Sequence, residues 1–118
     1  MELGVAHFLT DYGMQPAELA RRAEEHPAVD VVRYPDFGAI LALEVAGDAA
    51  AADRVTAATR LWVHATSLGG VESTLERRRR WAGEPQTIPP SLIRLSVGIE
   101  DVEDLWADLH QALTTALA

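Results

Sequence analysis

Between Pro16 and Glu25 the apolar positions Leu19, Ala20 and Ala23 form a stripe among charged neighbours. This spacing predicts a helix that opens at Pro16, where a missing N–H costs nothing, and closes at the His26-Pro27 step. The period then changes. Val29, Val31 and Val32 make a short β-branched run ended by Tyr34-Pro35-Asp36, and from Ala39 to Val45 the residues Leu41, Leu43 and Val45 alternate with others, so two strands are expected. Asp48 is placed to cap an alanine-rich stretch running to about Leu61, with Val55, Ala58 and Trp62 at helical spacing. Trp62 to Thr66 reads as a third strand that leads into Ser67-Leu68-Gly69-Gly70, where two glycines permit a sharp turn. After Leu75 the run Arg77-Arg78-Arg79-Arg80 reads as a solvated helix face. Leu92 to Val97 is the fourth strand. Asp101 caps a last helix, with Glu103 and Asp104 at its positive end and Val102, Leu105, Trp106, Leu109 and Leu113 on one stripe. The order predicts an α+β fold: a mostly antiparallel four-stranded sheet with helices packed on one face.

Composition narrows the function. With 118 residues and 48% hydrophobic content, the chain is expected to build one core. No apolar stretch approaches the roughly 18 residues of a membrane span, and Met1-Glu2-Leu3-Gly4 lacks a basic start, so a soluble, cytoplasmic protein with no membrane partner is expected. A formal charge of −8 repels phosphate backbones and argues against nucleic acid. The absence of cysteine removes disulfides and thiol chemistry. All ten basic residues are arginines, so no side chain offers an ε-amino group to a carbonyl cofactor.

Three residues stand out chemically. Alternation in the fourth strand sets Arg94 with Leu92 and Ser96, on the face opposite Ile93, Leu95 and Val97. A guanidinium on a rigid strand suits bidentate capture of a carboxylate; the same residue could instead pair with one of the 18 acids of the chain. Ser67, at the lip of the Gly69-Gly70 turn, could donate to the same anion. Glu72, just past the turn, could act on an amino group or open a helix. His7, His26, His64 and His110 lack metal-ligand spacing, and no metal is expected.

The segments Ala65-Thr66-Ser67-Leu68-Gly69-Gly70-Val71-Glu72-Ser73 and Leu92-Ile93-Arg94-Leu95-Ser96-Val97-Gly98-Ile99-Glu100-Asp101-Val102-Glu103-Asp104-Leu105 together resemble the Cys/Met-metabolism pyridoxal-phosphate enzymes of the cystathionine γ-synthase and γ-lyase kind. His26-Pro27-Ala28-Val29 and Val32-Arg33-Tyr34-Pro35 extend the resemblance over residues 15–118, while residues 1–14 match less well. The resemblance implies the small C-terminal domain of a fold-type-I enzyme. It assigns Arg94 to the substrate α-carboxylate, Ser67 to support of that carboxylate and Glu72 to substrate choice. It further implies that pyridoxal phosphate belongs to the complete enzyme and is held by a preceding large domain, the expected partner besides an amino-acid substrate. No covalent cofactor link is expected within this chain, which alone should be inactive and should self-associate. Two departures from the family pattern are the short Asp36-Phe37-Gly38-Ala39 connection and the stretch from Thr74 to Trp81. A non-catalytic assembly or amino-acid-binding subunit is the alternative reading.

Overall fold

The computed structural model describes residues 15–35 and 37–118; His7 and the rest of 1–14, and Asp36 in the short connection, lie outside the described residues. Three helices and a five-stranded sheet are described: α1 (residues 15–24), β1 (Val29–Arg33), β2 (Ile40–Val45), α2 (Ala49–Ala58), β3 (Val63–His64), β4 (Thr74–Arg77), β5 (Leu92–Ser96) and α3 (Val102–Thr115). The sheet order is β1-β2-β5-β4-β3. Its pairings are antiparallel except β3 with β4, which is parallel. The α+β class holds. The count of four strands does not: the sheet has a fifth strand, and its one parallel pairing makes it mixed.

That fifth strand is Thr74–Arg77, which overturns the reading of the arginine run as a helix face. Arg77 ends β4, and Arg78–Arg80 form a single 3-10 turn. The charge pattern misled because Glu76 is a buried acid, with no exposed surface, and so breaks the usual link between charge and solvent. The predicted strand Trp62–Thr66 shortens to Val63–His64 because the Trp62 side chain drops into the core and its Nε1–H donates to the Leu105 carbonyl at 3.0 Å.

The starts of α2 and α3 follow from their caps. The Asp48 carboxylate accepts from the Ala51 N–H at 3.0 Å, and the Asp101 carboxylate accepts from the Glu103 N–H at 2.8 Å. Helix α2 ends at Ala58 because the next backbone donors are taken elsewhere: the N–H groups of Arg60, Leu61 and Trp62 all point at Asp108 of α3. Leu19 and Ala23 of α1, Val55 of α2, and Leu105, Leu109 and Leu113 of α3 are buried in one cluster with Leu41, Leu43, Leu75, Ile93 and Leu95. The helices therefore cover a single face of the sheet. The opposite face carries Thr74, Glu76, Arg94 and Ser96, since Thr74 pairs with Ser96 and Glu76 with Arg94 in register.

Candidate functional site

The face of β4 and β5 away from the described helices is bordered by the segment joining β3 to β4, which carries the two glycines. Three hydrogen bonds lay this segment over the strands. The Gly69 N–H donates to Ser96 Oγ at 2.9 Å, Thr74 Oγ1 donates to the Ser67 carbonyl at 2.8 Å, and Arg94 Nη2 donates to the Thr66 carbonyl. The lid explains why Ser96, a polar residue on the face away from the helices, is only 1% exposed. Gly69 adopts φ of +76°, a conformation that glycine takes without strain.

Farther along, the Glu100 carboxylate accepts from the Ser73 N–H at 2.9 Å and from Ser73 Oγ–H at 2.7 Å. Ser73 Oγ in turn accepts from the Gly98 N–H at 2.8 Å. Burial pushes the Glu100 carboxyl up, yet these Ser73 donors outweigh it and hold the group below the usual carboxylate range. The glycine-bearing segment is thus fastened at both ends to β5 and to the turn that follows it.

Arg94 is half-buried, and its carboxylate pairing, the bland alternative in the sequence, is not found: among the described residues no acid lies within ion-pair distance. Its recorded acceptor is the neutral Thr66 carbonyl, which orients a guanidinium without cancelling its charge. Ser67 is exposed one residue beyond that carbonyl, so the fold brings Ser67 and Arg94 to the same border. Glu72 is exposed beside the anchored Ser73, and no hydrogen bond among the described residues carries it toward Arg94.

The residue that sequence reasoning missed is Glu76. Its Oε2 accepts from Thr66 Oγ1 at 2.7 Å and from Arg80 Nη2 at 3.1 Å, and its Oε1 accepts from Arg78 Nη1. Burial raises the carboxyl, but the Thr66 and Arg80 donors and the charge of Arg78 more than offset this, leaving it below its ordinary value. The signal available in the sequence was the alternation Thr74-Leu75-Glu76-Arg77, overshadowed by the arginines. Those arginines are engaged: Arg77 with Asp53 at 2.6 Å, Arg78 with Glu76 and Glu84, Arg79 with Gln86 at 2.6 Å, and Arg80 with Glu76.

Among the described residues no group of three or more acids and histidines could hold a metal ion. His26 and His110 do meet, edge to face at 4.8 Å and beside Trp106. His26 Nδ1 accepts from the Ala28 N–H at 3.0 Å, which fixes the ring in the turn after α1, and its contact with His110 joins that turn to α3. A groove of about 790 Å³ among the described residues runs between α1 and the start of α3, lined by Gln15, Arg21, Arg22, Ile99, Asp101 and Val102; none of the three candidate residues borders it.

Residues 14–114 match the family model of the Cys/Met metabolism PLP-dependent enzymes. The chain belongs to that family. It is 46% identical over 112 residues to an L-methionine gamma-lyase of Streptomyces avermitilis, a match covering 84% of this chain and 25% of the relative. It is 37% identical over 116 residues to a cystathionine gamma-synthase of Mycobacterium bovis, covering 92% and 30% respectively. The crystal structure of metB from Corynebacterium glutamicum superposes with a TM-score of 0.79 at 34% identity, over 87% of this chain and 32% of that one. The chain therefore spans about a quarter to a third of the length of these relatives. The side chains present do not fit pyridoxal phosphate as its holders: there is no lysine to form an imine with the aldehyde, and the arginine run that could meet a phosphate is paired within the chain. No helix among the described residues is long and apolar enough to cross a membrane.

Proposed function

We propose that this chain is the substrate-recognising C-terminal part of a pyridoxal-phosphate-dependent transsulfuration enzyme that makes or breaks C–S bonds in amino acids. Arg94 binds the substrate α-carboxylate, Ser67 adds a donor at the lip of the glycine turn, and Glu72 meets the variable end of the substrate. The cofactor belongs to the complete enzyme, on residues outside this chain, and the isolated chain binds and orients but does not turn over.

The observation that carries this reading is Arg94 itself. It is a guanidinium on a rigid central strand, held by a neutral carbonyl on the sheet face away from the described helices, with no acid among the described residues spending its charge. A planar fork in that setting favours a carboxylate ligand with fixed orientation, which is what reaction at the adjacent carbon needs.

The test is Arg94→Ala in the complete enzyme that contains this chain. Removing one partner of a partly desolvated charge pair costs roughly 2–4 kcal/mol, so amino-acid affinity should drop by about 30-fold or more with cofactor loading and folding nearly unchanged. Arg94→Lys should not restore it fully, because an ammonium keeps charge but loses the fork. A sharp fall in melting temperature with unchanged substrate affinity would overturn the assignment.

A further inference from the structure

We propose that Arg78 and Arg80 are positioning residues for Arg94: they occupy the buried Glu76 carboxylate and so keep it from capturing the guanidinium that, on the reading above, receives the substrate.

Glu76 and Arg94 are direct partners across two antiparallel strands and share one face, where opposite side chains start about 4.5–5.5 Å apart. Glu76 is 0% exposed. A buried carboxylate without a cation is costly, and one placed opposite an arginine would ordinarily pair with it. Here both of its oxygens are committed elsewhere, Oε1 to Arg78 and Oε2 to Arg80 and Thr66.

Thr66 separates the two charge systems. Its hydroxyl donates to Glu76, while its carbonyl accepts from Arg94. The two arginines are themselves held, Arg78 by a second acid, Glu84, and Arg80 by stacking over the Trp81 ring at 4.6 Å. The charges of Glu76, Glu84, Arg78 and Arg80 cancel among themselves, and the charge of Arg94 is left for an external anion.

If Arg78 and Arg80 are removed, Glu76 swings to Arg94 and becomes an internal competitor for the substrate carboxylate. When only about a tenth of molecules keep Arg94 free, apparent affinity falls about tenfold. The double variant Arg78→Ala/Arg80→Ala of the complete enzyme should therefore raise KM for the amino acid about tenfold with kcat near the parent value. Adding Glu76→Gln to the same chain should bring KM back to within about twofold, a reversal that mere loss of packing cannot produce.

An unchanged KM in the double variant, or a raised KM that Glu76→Gln leaves raised, overturns the inference. Arg94→Ala runs alongside. If that variant leaves KM untouched, the carboxylate-binding reading fails; if it raises KM while the double variant is silent, only the present inference fails. Should the double variant not fold, Arg80→Ala decides, since Arg80 is exposed and Arg78 stays in place: about a threefold rise reversed by Glu76→Gln supports the inference, and its absence refutes it.

Discussion

At Gly98 the chain runs against its neighbour so closely that a Cβ added there would lie 2.1 Å from the Val71 carbonyl oxygen and 2.7 Å from backbone carbons of Val71 and Glu72. Backbone on both sides has no rotamer with which to yield. Gly98→Ala should therefore cost about 2–3 kcal/mol, read as a lowered denaturation midpoint, and should also loosen Ser73 from the Gly98 N–H. Gly69 differs physically: a Cβ there meets nothing within 4 Å, and only the φ of +76° opposes it. Gly69→Ala should cost no more than about 1–2 kcal/mol, and a loss larger than that of Gly98→Ala would contradict this account. The Gly-Gly pair was legible in the sequence as a turn. The severe constraint at Gly98 was not, because it comes from a segment 27 positions away.

Elements here are joined by single polar groups placed where helices end. Asp108 of α3 is 9% exposed and accepts four hydrogen bonds, at 2.7–3.0 Å, from the three successive N–H groups of Arg60, Leu61 and Trp62; the side chain of Gln111 adds a fifth at 3.1 Å. This carboxylate stops α2, turns the chain and aims β3 into the sheet. Asp108→Ala should destabilise by about 2–3 kcal/mol, since three backbone donors, that of Trp62 buried and the other two partly so, lose a charged acceptor. Amide exchange at Leu61 and Trp62 should accelerate before that of β5, and equal acceleration throughout would speak against so local a role. The helices and β2 were legible from the spacing of their apolar positions, β1 from its run of valines, and β5 from the alternation of Ile93, Leu95 and Val97. Strand β4 escaped because its polar side is also covered, by the glycine-bearing segment and its own arginines.

For the whole molecule, three buried or half-buried carboxylates set the response to acid. Burial pushes Asp108 up, but the N–H groups of Trp62, Arg60 and Leu61 outweigh it, and Glu76 and Glu100 are likewise held below the ordinary range by their donors. Unfolded carboxylates take up protons at higher pH than these folded ones. The stability they confer is therefore whole above the unfolded values and is lost as pH falls through the depressed folded ones. Glu18 is drawn lower still, to about 2, by Arg21 and Arg22, yet it lies at the surface, where screening limits such a pair to less than about 1 kcal/mol. Melting temperature should hold near neutrality and fall below about pH 4, less steeply in Asp108→Asn; an unchanged slope in that variant would count against the assignment. If the chain serves a larger enzyme, the exposed Leu68, Val71 and Ile99 beside the Arg94 face should seek cover. Sedimentation should then show self-association or binding to a co-expressed large domain, and a strict monomer that binds neither would contradict the expectation.

From the sequence alone came the α+β class, the alternation that turns Arg94 away from the core, the linked Ala65–Ser73 and Leu92–Leu105 motifs that carry the family resemblance, and the lack of any lysine. These are local or compositional properties, carried by spacing along the chain. Tertiary structure alone decided the parallel β3–β4 pairing, the burial of Glu76 and the partner of Arg94. Each depends on which distant segments meet. A charge reads as solvated until packing supplies its counter-charges, and two strands ten residues apart show their relative direction only when the turn between them has closed.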